Sequence, residues 1–152
     1  MSKAEQYKLL VKQIDALAKD VSNPISVMAN VSSAIHYTMG FFWTGFYIVH
    51  GDTLQLGPFQ GNIACYNIPR GKGVCGTAFE QRETIIVPDV EKFPGHIACS
   101  SLSRSEIVVP IIDDQHNVKA VLDIDSKELN TFDETDKKYL EKIVRFLSSC
   151  ID

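Results

Sequence analysis

Two stretches of aromatic and β-branched sequence, each doubled back by a turn, constrain this chain most. Phe41 to Val49 reads as a strand, His50-Gly51-Asp52-Thr53 as a turn and Leu54 to Pro58 as the returning strand. Glu106 to Ile112 and Lys119 to Asp125 repeat the pattern across Asp113-Asp114-Gln115-His116-Asn117. Hairpins join antiparallel neighbours, so the sheet is antiparallel. Between them lie a short helix, Val74 to Glu80, a short strand, Thr84 to Val87, and long loops. Helical patterns flank both hairpins. Residues 4–20 carry Tyr7, Leu10, Ile14, Leu17 and Val21 at three- and four-residue intervals. Asn23 as N-cap and Pro24 at the first helical position start a second helix, whose apolar face is Met28, Val31, Ile35 and Met39 and whose stop is Gly40. Thr131 with Glu134 makes a capping-box pattern for a last helix, with Leu140, Ile143, Val144, Leu147 and Ile151 as its stripe. The order predicts an α+β fold: a central antiparallel sheet, N- and C-terminal helices on one face, and loops forming a pocket on the other.

The 152 residues suit one domain over 1–152, with a core that needs no staples. A net charge of -4 argues against a nucleic-acid surface. No apolar run is long enough for a bilayer, and the charged first twenty residues resemble neither signal peptide nor anchor. The expected location is the cytoplasm. Four cysteines in a reducing compartment mean free thiols, metal ligands or redox chemistry rather than structural disulfides.

Cys99 lies in FPGHIACSSLSRSEIVVP, from Phe93 to Pro110. Pro94-Gly95 ends regular structure before it, and serines favour turns after it. It therefore sits on a loop that leads into a strand. Cys65 and Cys75 lie in the other glycine-rich stretch. Zinc could use Cys65, Cys75, His96 and Cys99, but the spacing fits no standard finger, and no metal is expected. Spacing leaves the cysteine pairing open. Strand alternation puts Trp43, Gly45 and Tyr47 opposite Thr44, Phe46 and Ile48. It likewise separates Glu106 from Ile107, Val109 and Ile111, and Asp123 and Asp125 from Leu122 and Ile124. If these faces coincide, the pocket gathers Trp43, Tyr47, Glu106, Asp123 and Asp125. Clustered carboxylates raise one another's pKa and leave a proton donor near neutrality. The aromatics could wall a small ligand carrying an ammonium or a methyl-sulfur group.

The segments WTGFY from Trp43, LGPFQG from Leu56, ACYNIPRGKGVCG from Ala64, VPDVEKFPGHIAC from Val87, SEIVVP from Ser105 and VLDIDS from Val121 together resemble the free methionine-(R)-sulfoxide reductases. These are single GAF domains acting on the free amino acid. The resemblance runs in order from Trp43 to Ser126; Thr44 and Ser100 depart from its common pattern without removing a chemical group. It implies Cys99 as the nucleophile that becomes a sulfenic acid, Cys65 as the main resolving thiol and Cys75 as a second or alternative one. It implies that Glu106, Asp123 and Asp125 hold the substrate ammonium and protonate the sulfoxide, and that Trp43 and Tyr47 wall the pocket. Thioredoxin as reductant, no cofactor, and a homodimer follow from the same resemblance. The competing reading is a GAF-type sensor that binds a small molecule without chemistry. His96 could lower the Cys99 pKa electrostatically or order its loop, and Cys150 packs on the last helix.

Overall fold

Both hairpins form, and they pair with each other. The computed structural model describes residues 1–97 and 99–151; the side chain of Ile151, read as the end of the last apolar stripe, lies outside the described residues. In order the elements are α1 (Lys3–Ala18), α2 (Pro24–Met39), β1 (Trp43–His50), β2 (Thr53–Gln60), β3 (Asn67–Pro69), α3 (Gly73–Gln81), β4 (Ile85–Val87), a 3-10 turn (Val90–Lys92), β5 (Ser105–Ile112), β6 (Val118–Ser126) and α4 (Glu134–Ile151). The strands are ordered β3-β2-β1-β6-β5-β4, each neighbouring pair antiparallel. The two hairpins thus meet through β1 and β6, the first and last long strands.

Local chemistry accounts for most element ends. The Asn23 side chain accepts from the Ile25 N–H, Pro24 follows it, and Gly40 closes α2 at φ 72°. α1 ends at Ala18, which leaves Val21 outside it, and Leu17 in its last turn is exposed, so neither joins the stripe expected of them. α4 opens two residues later than the Thr131–Glu134 pattern suggests. Asp133 accepts from the N–H groups of Thr135 at 2.9 Å and Asp136 at 3.4 Å, and Asp136 accepts from the Asp133 N–H at 2.9 Å. A carboxylate is the stronger acceptor for orphan N–H groups, so the aspartates form the capping box. The Thr131 hydroxyl instead donates to Ser126 Oγ at 2.6 Å.

β2 runs through Pro58 to Gln60 because a bulge absorbs the proline: Gly45 pairs with Phe59 but Tyr47 pairs with Leu56. The extra residue puts Leu56 and Phe59 on the same face.

Helices α1, α2 and α4 cover one side of the sheet. There Phe46, Ile107, Val109, Leu122 and Ile124 pack with Leu10, Ile14, Val31, Ile35, Leu140 and Ile143. Each such burial stabilises the fold by about 1.5–3 kcal/mol. The other side is not left to loops alone. α3 lays Val74, Ala78 and Phe79 in a second core with Tyr47, Leu54, Val108 and Val121. The cleft is confined to the remaining end of this face. Among the described residues no helix is long and apolar enough to cross a membrane.

Candidate active site

Register decides where the acids go. Across β1 and β6, Trp43 pairs with Asp125 and Gly45 with Asp123; across β5 and β6, Glu106 pairs with Asp125 and Val108 with Asp123. Paired residues share a face, so the alternation of three separate strands converges. Trp43, Tyr47, Glu106, Asp123 and Asp125 all line one cleft of about 480 Å³, its open mouth included, together with His96, Ile97, Cys99, Ser100 and Ser103. Gly45 makes room for the aromatic wall. A Cβ there would lie 2.6 Å from the Trp43 ring and 2.3 Å from the Phe59 Cβ. Without it, Trp43 stacks between Tyr47 at 6.1 Å and Phe59 at 5.2 Å. Nothing in the sequence marks Phe59 for this place, because the Pro58 bulge turns it to this face. Phe42 and Asn62 also line the cleft. Phe42 sits in the aromatic run ahead of Trp43, where its neighbours are signal enough; Asn62 has no signal of its own.

The thiols divide. Cys65 and Cys99 form a disulfide across 34 residues, with their Cα atoms 5.4 Å apart. Cys99 lies on the loop that follows Pro94-Gly95, and Cys65 on the loop between β2 and β3. While this bond stands, neither sulfur can serve the zinc set considered above. Cys75 is a free, buried thiol on α3. Its Sγ and one oxygen from each of Glu106 and Asp123 lie within 4.8 Å of one another. These are donor types that a divalent cation accepts, but a ligand thiol must be ionised. Burial first, then the charge of Asp123, pushes the Cys75 thiol well up. Cys150 is free and packs at the edge of the helix-side core.

The carboxyl cluster has a hierarchy. Glu106 and Asp123 are buried at 5% and 6% exposure, and Asp125 is half-buried at the rim. Desolvation, then the charge of Asp123, raises Glu106 and Asp125 well above the ordinary carboxyl range. Asp123 is also raised by burial, but hydrogen bonding from Glu106, Cys75 and Asp125 pulls it back. Asp123 is therefore raised least of the three, which makes it the member best placed to carry a negative charge and leaves Glu106 and Asp125 the better proton donors. The buried Asp123 Oδ1 has no hydrogen-bond partner among the described residues. Such an atom costs free energy unless a ligand group satisfies it. Burial lowers His96, with Asp123 acting the other way. Tyr47 is raised, by burial first and then by Asp123. The arrangement can take a small cation at Asp123, supply a proton from Glu106 or Asp125, and cycle two electrons through the sulfur pair.

Comparison with known proteins places this geometry. The model of the GAF domain matches residues 27–152. The chain is 55% identical to "GAF domain-containing protein A" of Dictyostelium discoideum, covering 97% of this chain and 94% of that protein. It is 42% identical to the "Free methionine-R-sulfoxide reductase" of Saccharomyces cerevisiae, covering 99% and 89%. The crystal structure of a free methionine-R-sulfoxide reductase from Neisseria meningitidis, in complex with its substrate, superposes with a TM-score of 0.97 at 44% identity, covering 99% of this chain and 91% of that one.

Proposed function

The chain belongs to the free methionine-(R)-sulfoxide reductases of the GAF-domain family, and from that premise we propose how its side chains carry the reaction. It reduces free methionine-(R)-sulfoxide to methionine by thiol chemistry. The observation that carries the reading is a disulfide, Cys65–Cys99, at the wall of a cleft containing Glu106, Asp123 and Asp125.

The substrate ammonium pairs with Asp123 and satisfies Oδ1. The rings of Trp43 and Tyr47 hold the methyl-sulfur end. Cys99, as thiolate, attacks the sulfoxide sulfur while Glu106 or Asp125 protonates the oxygen. The oxygen passes to Cys99 Sγ as a sulfenic acid, methionine leaves as the thioether, and the thiol sulfur has lost the two electrons that the sulfoxide gained. The Cys65 thiol then attacks the sulfenic sulfur. The S–S bond forms, the S–O bond breaks, and the oxygen leaves as water. Cys75 stays a neutral thiol beneath the carboxyls in this scheme and takes no part in the first disulfide. Thioredoxin restores both thiols through a mixed disulfide, in a cytoplasmic setting that supplies it. The acting unit is the whole chain, 1–152. α1, ahead of the matched residues, puts Tyr7, Leu10 and Ile14 into the core shared with α2 and α4.

Free-substrate specificity has a physical basis. A peptide-bound residue has no ammonium, so Asp123 would be desolvated without a partner. The test is NADPH consumption with thioredoxin and its reductase, comparing free (R)-sulfoxide, the (S) epimer and the N-acetylated (R) form. Turnover with the free (R) form alone is the expected result. Equal turnover with the N-acetyl form would remove Asp123 from ammonium recognition, and none with any form would return the chain to ligand binding without chemistry.

A further inference from the structure

Backbone contacts do much to hold the loop that carries Cys65. Between β2 and β3 Ile63 is 90% exposed and Tyr66 78%, while Ala64 packs on the second core and Cys65 bonds to Cys99. The loop's carbonyls point inward. Trp43 Nε1 donates to the Asn62 carbonyl at 2.9 Å, Tyr47 Oη to the Cys65 carbonyl at 3.0 Å, and the Leu56 N–H to the Tyr66 carbonyl at 2.9 Å. The loop enters over the Trp43 indole at Gly61, with φ 130°, where a Cβ would lie 2.6 Å from Trp43 Cδ1. Trp43 and Tyr47 are themselves buried and stacked on each other. The two aromatics therefore face the cleft with their rings and grip the loop with their polar atoms.

We propose that Tyr47 is a positioning residue for the second half of the reaction: its hydroxyl holds the Cys65 carbonyl, and so keeps the resolving thiol within reach of Cys99. The proposal rests on the division of roles given above. Holding a nucleophile beside its target raises its effective concentration by orders of magnitude. Before the disulfide forms, Ala64 is the loop's packed side chain, so releasing the Cys65 carbonyl forfeits part of that gain. Burial keeps the Tyr47 hydroxyl protonated, so the donor persists across working pH. Trp43 grips the same loop, but its larger ring also shapes the cleft. Tyr47→Phe keeps the ring and removes only the donor.

The test is a single turnover of reduced protein with free methionine-(R)-sulfoxide and no reductant. Methionine release and disulfide formation are followed separately, and dimedone traps the sulfenic acid as a mass increase on the Cys99 peptide. In Tyr47→Phe, disulfide formation should slow about tenfold more than methionine release, the scale of one lost buried hydrogen bond. Dimedone-labelled Cys99 should accumulate accordingly. Gly61→Ala, which lifts the same loop off Trp43, should shift the ratio in the same direction. A Tyr47→Phe protein in which both steps slow equally, or neither slows, overturns the proposal, since a general loss of fold moves both steps together. Wild-type protein that releases no methionine at all overturns the reading beneath it as well.

Discussion

The protein buries two aspartates on opposite sides of its sheet, and they are treated differently. Asp136, on α4, is fully buried and accepts from the Tyr7 hydroxyl at 2.5 Å, the Lys3 ammonium at 2.7 Å and the Asp133 N–H at 2.9 Å. Burial first, then Asp136 itself, raises the Tyr7 hydroxyl, which keeps that donor neutral. Asp123, on β6, is nearly as buried, yet its Oδ1 has no hydrogen-bond partner among the described residues. Its nearest neighbours are other acids and a thiol. A buried charge that the chain satisfies ties elements together, here α1 to α4. A buried charge that the chain leaves unsatisfied costs stability and is retained where a ligand completes it. The helix side of the sheet satisfies its buried carboxylate, while the cleft side, beside a second core, leaves one carboxylate oxygen open.

Mutation can separate the two sides. Cys99→Ser should remove all methionine release even in the first turnover, measured by mass spectrometry. Cys65→Ser should release one methionine per chain and then stall with thioredoxin as reductant; continued cycling would mean that Cys75 substitutes for it. Asp136→Ala leaves the Lys3 ammonium and Tyr7 hydroxyl without their anion, and should cost about 3–5 kcal/mol in urea unfolding. The folded fraction should keep its activity. Asp123→Asn is the counterpart on the cleft side. It should leave the unfolding midpoint unchanged or higher while kcat/KM falls about 100-fold, as for loss of a charged hydrogen-bonding partner that the substrate needs. An Asp123→Asn protein as unstable as Asp136→Ala would erase the distinction.

Glu106→Gln sharpens the same contrast through pH. Burial, then the charge of Asp123, raises Glu106 in the folded protein, so it keeps its proton to higher pH than in the unfolded chain. Stability from this group is therefore full at low pH and is lost as pH rises toward the raised folded value. Removing the ionisable carboxyl should stabilise the fold by about 1 kcal/mol at neutral pH and flatten that part of the stability profile. Its cost should appear in the rate, about 10²–10⁴-fold if Glu106 is the proton donor. The smallest effect belongs to the helix side: Asp133→Ala removes the α4 cap and should cost about 1 kcal/mol without touching the chemistry.

Much of this was legible residue by residue. Asn23-Pro24 and Gly40 bound α2 because caps are local chemistry. Strand alternation separated Asp123 and Asp125 from Leu122 and Ile124 because a strand has a period of two whatever lies beside it. The α4 cap falls two residues beyond the Thr131 pattern because several polar residues there can serve and only the folded chain chooses among them. β3 has no sequence signature, because three residues carry no period and pair only with β2 in place.

The sequence by itself determined the antiparallel hairpins, the helix stripes and the side of each strand on which an acid falls, since these depend on neighbours a few residues apart. Tertiary structure alone decided that β1 pairs with β6, which sets Trp43 beside Asp125. It also decided that a bulge turns Phe59 onto Trp43, and it brings Cys99 to Cys65, a pairing that cysteine spacing leaves open. Those contacts join residues far apart in the chain. Their partners are selected by packing, which no local pattern encodes.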